Sequence, residues 1–352
     1  LTLLLSNEDV EKVITMSETI EALEAAYLEM ADQKALSRPR SDILMAGGQQ
    51  GQDVYGFKSM EGALLKEGVV ALRFNSDIIR WPERAGVVIR EKVPSLPGGR
   101  WLGLIQLFSA VTGELLAMIS DGVIQRFRVG GTSALGARYL AREEAATVGL
   151  VGSGWQAGAQ AMGLCAVRPV RKIRVYSPNS EHRQSFAAEW SKRLGIGVQA
   201  VPTVEEAVKD SDIVCLTTNA VEPVLNAGLV KPGQHVSAIK RGEIGDDILM
   251  RSDVLVLHTQ EGKPKHYFVG GLEVSGLNKA YRPMPREADG DITALVQGRV
   301  KRKDQAQITC FLNNMGLGLQ FAAVAHLVYQ KAQAAGLGRI LPTEWFTEDV
   351  HP

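Results

Sequence analysis

The sequence is poor in the features that would place it quickly. Its three cysteines, Cys165, Cys215 and Cys310, are far apart and form no CxxC pair, which removes a disulfide framework. Neither sign of charge dominates, with Lys+Arg and Asp+Glu at 39 each, so the basic excess of a nucleic-acid binder is missing. No stretch reaches the ~20 apolar residues of a membrane helix. The opening LTLLLSNEDVEK has no basic flank, and its apolar run is too short for a signal peptide. The six histidines are scattered, and His258 and His266 share no ligand spacing, so no metal site is expected. These absences leave a soluble, cytoplasmic protein, with neither nucleic acid nor membrane as partner and with Cys215 a buried thiol in DIVCL.

What is present is length and rhythm. The chain has 352 residues, enough for two domains of ordinary size. Residues 6–36 read as helices, with Ser6 and Ser17 as N-caps and Ile20, Leu23, Tyr27 and Met30 at helical spacing. Residues 40–118 change character: DVYGFKSM, GVVALRFNSDI, GVVIREKV and WLGLIQLFSA are short β-rich runs that read as an antiparallel meander. From about 145, strands and helices alternate. ATVGLV, KIRVYS, GVQAV, DIVCLTT, HVSAI and DVLVLH are six candidate strands of a parallel, doubly wound sheet. NNMGLGLQFAAVAHLVYQKAQAAGLG reads as one long helix returning to the first domain. The expected fold is therefore α/β. A Rossmann sheet over 129–316 is inserted into a discontinuous α+β domain made of 1–128 plus 317–352.

The stretch LVGSGWQAG carries the chemistry. Gly152 and Gly154 follow a strand directly, and Ala157 and Gly158 stand at a helix start, so the turn is tight and the backbone can approach a pyrophosphate. Ser153, Trp155 and Gln156 fall within the same cofactor contact, where the helix offers unpaired N–H groups to the anion. The end of the second strand reads VYSPNSEHR, with Ser177 where an NAD site places an acid and Asn179 and Arg183 following. NADP(H) is favoured over NAD(H), with Arg183 either a ligand of the 2′-phosphate or a solvated helix residue. Thr217, Thr218 and Asn219 end the fourth strand and should line the nicotinamide side.

RFRVGGTSALGARYLAR, GSGWQAG, SDIVCLTTNAVEPVL, KPGQHVSAI and NNMGLGLQFAAVAHLVY occur in an order that resembles the ornithine cyclodeaminase/μ-crystallin family over nearly the whole chain. The resemblance implies a small amino or imino acid bound between a β-rich domain and the Rossmann domain, and a homodimer formed through the β-rich domain. It implies Arg40, with Arg38 as rival, and Arg128 as ligands of the substrate carboxylate. Arg128 is expected to open its helix, where the dipole favours anions. For the family's proton-handling lysine it offers Arg73 by position or Lys58 on the preceding strand, and arginine is a poor proton shuttle. Gly242 takes the place of the acid that organises ring closure in cyclodeaminases, with Glu243 the nearest carboxyl and a substrate-binding candidate. Lys240 and Asn314 complete the implied cofactor contacts. The expected activity is NAD(P)H-dependent oxidation or reduction of a C–N or C=N bond. A cyclodeaminase and a non-catalytic small-molecule binder are the alternatives.

Overall fold

A computed structural model describes residues 1–48, 51–84, 87–260, 264–273 and 282–348. Residues 349–352, at the end of the expected carboxyl-terminal piece, lie outside the described residues. Two sheets organise the chain. The first has the order Lys265–Phe268, Ser41–Gly47, Asp53–Leu64, Val69–Arg80, Leu102–Ser109, Leu115–Ser120, Thr2–Leu5, Arg339–Leu341. It is antiparallel except where Thr2–Leu5 meets Leu115–Ser120 and where Lys265–Phe268 meets Ser41–Gly47. Its centre is a pair of 12-residue strands, Asp53–Leu64 and Val69–Arg80, in which every second residue is buried. That alternation is the pleat made visible: one face looks inward, the other outward.

The second sheet is parallel throughout, in the order Gly197–Ala200, Lys172–Tyr176, Thr147–Val151, Ile213–Leu216, His235–Ala238, Thr309–Leu312, Val254–Leu257, Gly290–Asp291. The chain reverses its direction of travel between Thr147–Val151 and Ile213–Leu216, which creates the ligand crevice of a doubly wound fold. The sheet has two strands more than the six read from the sequence. Thr309–Leu312 inserts between the fifth and sixth, and its short apolar run merges in sequence with the helix that follows.

Helix Gly318–Ala334 returns to the inner face of the first sheet. The approach is close: a Cβ on Gly62 would lie 2.2 Å from the Leu319 nitrogen, and one on Gly318 would lie 2.0 Å from the Glu61 carbonyl oxygen. Helix Asp121–Leu140 runs between the two sheets and is buried on nearly every side. It therefore shows no clean apolar stripe, and its start was misread. Arg128 is its eighth residue and not its first, so the helix dipole gives Arg128 no special pull on anions. The expected boundary at 128/129 falls inside this helix. Strand Lys265–Phe268, within the range expected for the nucleotide sheet, joins the other sheet. The N-cap of helix Met16–Ala31 is Thr15, two residues before the expected Ser17, while Ser6 caps Asn7–Val13 in a capping box.

Candidate active site

The inner face of the first sheet carries charge where a core would carry methyl groups. Arg73, Asn75 and Asp77 alternate along one strand and share its buried face with Lys58 and Met60 of the neighbour. Register lines up His266, Asp42, Lys58, Asn75 and Gly103 across five strands. Lys58 is only 4% exposed, so it is not an outward strand lysine. Its Nζ donates to Asp77 at 2.6 Å. Lys92 donates to both oxygens of the same carboxylate, at 2.9 and 2.8 Å, and the Asn75 amide donates to it as well. Two ammonium groups thus share one carboxylate. Burial alone would raise the Asp77 carboxyl, but Lys58 and Lys92 hold it at about 2. Burial, reinforced by Arg90, lowers the Lys58 ammonium well below the usual lysine range despite Asp77.

Arg73 is engaged in a different way. Its guanidinium pairs with Asp121 at 2.5 Å and donates to the Asn75 side-chain oxygen at 2.9 Å. The Asp121 carboxylate occupies the space a Cβ on Gly103 would need, which is why that strand position is glycine. Arg73 is therefore held in a compensated pair, whereas Lys58 carries an amine whose ammonium form burial disfavours. Arg40 also departs from expectation. It spends its bidentate edge on the chain's own Asp42, at 2.8 and 2.7 Å. The rival Arg38 is 71% exposed and only 3.9 Å from Glu61 at the surface.

Arg128 differs from both. It is 6% exposed, and no ion pair to it occurs among the described residues. Its partners are amide oxygens, Gln125 at 2.6 Å and Gln320 at 2.9 Å. The guanidinium lies over the Phe321 ring at 5.0 Å, with Arg73 over the same ring at 5.2 Å. Burial, then the proximity of Arg73, lowers its pKa to about 9, which leaves it cationic at neutral pH.

Across the cleft, the glycine turn fits a dinucleotide. Gly152 has φ +112°, and a Cβ there would lie 2.4 Å from the Thr217 carbonyl oxygen. Gly154 is the N-cap of helix Trp155–Val167 and has open space before it. Gly158 lets the helix pack on Trp190, since a Cβ would meet that ring at 1.9 Å. Among the described residues, the Thr217 hydroxyl and the Gln156 side-chain oxygen are buried without a hydrogen-bond partner. Ser153 and Ser177 join hydroxyls at 2.8 Å. Asn179 caps the next helix, and Arg183 donates to the Ser177 carbonyl at 2.9 Å, which holds it at the turn. Asn219 is exposed beside that crevice, and its carbonyl accepts from Arg90 at 3.1 Å, so a segment of the first sheet reaches across the cleft.

Three expected contacts have other work. Glu243 is fully buried, and its two oxygens accept from the Thr218 amide and hydroxyl and from the Ile239 and Lys240 amides. It pins the loop after the fifth strand and has no edge left for a substrate. Lys240 donates to the Thr218 carbonyl at 2.7 Å, and burial lowers its pKa to about 8. Asn314 donates to the Thr259 carbonyl at 3.0 Å. Asp42, Asp77, Lys92, Asp121 and Gln320 were missed. Arg73, Asn75 and Asp77 at period two were the one signal in the sequence that a strand face was polar and buried.

The geometry can be set beside known proteins. Residues 95–336 match the sequence model of the ornithine cyclodeaminase/mu-crystallin family. The chain belongs to this family. A Delta(1)-pyrroline-2-carboxylate reductase of Thermococcus litoralis, solved with NADH and L-proline, superposes with a TM-score of 0.79 at 30% identity, covering 97% of this chain and 100% of that one. A Delta(1)-pyrroline-2-carboxylate reductase of Bacillus cereus is 26% identical over 348 residues, 96% of this chain and 98% of its own. An alanine dehydrogenase of Archaeoglobus fulgidus is 26% identical over 343 residues, 96% and 97% of the two chains. The Thermococcus protein therefore shares this fold over its whole length.

Proposed function

We propose that this chain is a nicotinamide-dependent oxidoreductase that reduces the C=N bond of a small 2-imino acid, or oxidises the corresponding amine. The observation that carries the reading is Arg128, a buried guanidinium with no carboxylate partner among the described residues, together with Lys58, a buried lysine on a shared carboxylate. Arg128 would bind the substrate carboxylate. The Lys58 ammonium would deliver the proton that the nitrogen gains on reduction, and its neutral amine would accept that proton in the reverse direction. A bound reduced nicotinamide supplies the hydride to the carbon of the same bond. Gly152, Gly154 and the orphaned Thr217 hydroxyl would hold that cofactor. The cyclodeaminase alternative lacks its acid, because Glu243 is consumed by four donors, two amides of its own loop and the amide and hydroxyl of Thr218 after the fourth strand. The test is NAD(P)H oxidation with Δ1-pyrroline-2-carboxylate and with 2-oxo acids plus ammonia or methylamine. Saturable binding without turnover across that panel would reject the enzyme reading.

Ser177 in place of an acid, with Arg183 held at the turn by its carbonyl, supports NADP(H) over NAD(H). The wild-type protein is expected to bind NADPH more tightly than NADH. Arg183→Ala is expected to shrink the gap by about tenfold, the worth of one charged hydrogen bond. Equal or tighter NADH binding by the wild type defeats this cofactor assignment. NADH in the Thermococcus protein makes the comparison worth running first.

The outer face of the first sheet supports a homodimer. Ile43, Leu102 and Tyr267 are 42%, 48% and 56% exposed, and Phe57 stacks on Phe74 at 5.7 Å on the same face. Exposed apolar side chains gathered on one sheet face are a mark of an interaction surface. Sedimentation at micromolar concentration should return twice 38.1 kDa for the wild type, and Phe74→Glu should return one protomer. A monomeric wild type removes the dimer from the reading.

A further inference from the structure

Behind Arg128 runs a chain of four side chains that are all fully buried: His258, Tyr27, Thr132 and Gln320. Each comes from a different element. His258 follows strand Val254–Leu257 at its carboxyl end, Tyr27 lies on helix Met16–Ala31, Thr132 on helix Asp121–Leu140 and Gln320 on helix Gly318–Ala334. The links are His258 Nε2 to Tyr27 Oη at 2.8 Å, Tyr27 Oη to Thr132 Oγ1 at 2.8 Å, and Thr132 Oγ1 to Gln320 Nε2 at 2.7 Å.

The direction of every link can be deduced. His258 Nδ1 faces the Met315 carbonyl oxygen, which only accepts, so Nδ1 carries the ring hydrogen. Burial keeps the ring neutral, with its pKa lowered to about 3, so Nε2 is a bare acceptor. Tyr27 must then donate to His258. Its oxygen is left to accept from Thr132, whose single hydrogen is thereby used. Thr132 must accept from Gln320, so the NH2 end of that amide points at Thr132. The oxygen end points at Arg128. A second constraint agrees: the Leu317 backbone N–H, a donor only, meets the same oxygen at 2.9 Å.

We propose that Gln320 is a positioning residue for Arg128, locked by the chain from His258 so that a neutral oxygen, and not a carboxylate, meets the guanidinium. The inference rests on Arg128 binding the substrate carboxylate. Arg40 and Arg73 are each neutralised by an aspartate, whereas Arg128 is oriented without losing its charge. The chain also ties that orientation to the end of a strand of the nucleotide-binding sheet.

The test uses Δ1-pyrroline-2-carboxylate with NADPH as the probe pair. Gln320→Glu puts a competing carboxylate 2.9 Å from Arg128. KM for the imino acid should rise about tenfold or more, while the NADPH dissociation constant stays within about twofold. Tyr27→Phe removes the link that consumes the Thr132 hydrogen and should raise KM by about threefold with kcat kept. It also serves as the readout should Gln320→Glu fail to fold. On an Arg128→Met background, neither change should raise KM further, because the residue they act through is gone. Equal rises on both backgrounds, or no rise in either single variant while Arg128→Met alone raises KM, would overturn the inference. An unchanged KM in Arg128→Met alone would remove the carboxylate reading and this inference with it.

Discussion

Lys58→Met is expected to lower kcat for imine reduction by roughly 10²–10⁴-fold, the usual worth of a positioned general acid. Methionine keeps most of the stem volume, so the strand and its neighbours are retained while the proton is lost. Binding of NADPH should be little affected, since the glycine turn lies across the cleft. Direction of the pH profile follows from charge. The ammonium form serves reduction, so the rate should fall as pH rises through the Lys58 pKa, which burial and Arg90 lower. The groups facing it are Asp77 and Asn75 on one neighbouring strand, Asp42 on the other, with Arg40, Arg90 and Lys92 nearby. Lys92→Met removes one of the two cations on Asp77, so Lys58 should hold its proton more firmly and the alkaline limb should move to higher pH. A Lys58→Met enzyme with near wild-type kcat would show that the proton comes from elsewhere. An alkaline limb that did not move in Lys92→Met would show that the limb belongs to another group.

The parts of this site that were legible in the sequence are those in which one residue type answers to one local geometry. Gly152 is the clearest case, because a φ of +112° against the Thr217 carbonyl admits little else. Strand and helix alternation likewise announced the parallel sheet, whereas Arg73, Asn75 and Asp77 at period two went unread as a charged strand face. What was hidden depends on contacts between distant segments. Asp77 becomes the shared partner of Lys58 and Lys92 only once the register of the long hairpin and the path of the segment after it are known. The face on which Lys58 lies is set by that same register. Strand Thr2–Leu5 is placed by Leu115–Ser120 and by Arg339–Leu341, far away in sequence. Arg128 was assigned to a helix start because Asp121–Leu140 is buried nearly all round, with polar Asp121, Arg128, Thr132 and Ser133 among its buried residues, so no apolar stripe is left from which to count its turns.

The second large effect is expected at Arg128 itself. In Arg128→Met the imino-acid carboxylate loses the buried guanidinium that has no carboxylate partner among the described residues, at a cost of about 2–5 kcal/mol. At about 1.4 kcal/mol per factor of ten, kcat/KM should fall by roughly 30-fold or more, most of it in KM. Methionine fills similar space over Phe321, so the loss should be one of charge more than of packing. Arg128→Lys is the sharper variant. It restores a cation but not the planar fork that meets Gln125 and Gln320 together, so it should recover only part of the affinity. The matching pair in Arg73 gives the contrast. Its charge is already spent on Asp121, so Arg73→Met should leave that acid buried and unpaired, and lower thermal stability as well as activity. Measured side by side, Arg128→Met should show a large KM effect with a modest shift in melting temperature, and Arg73→Met the larger melting shift. If Arg128→Met kept the wild-type KM while Arg73→Met raised it, the carboxylate would belong to Arg73. Asp121 would then have to release its partner when substrate binds.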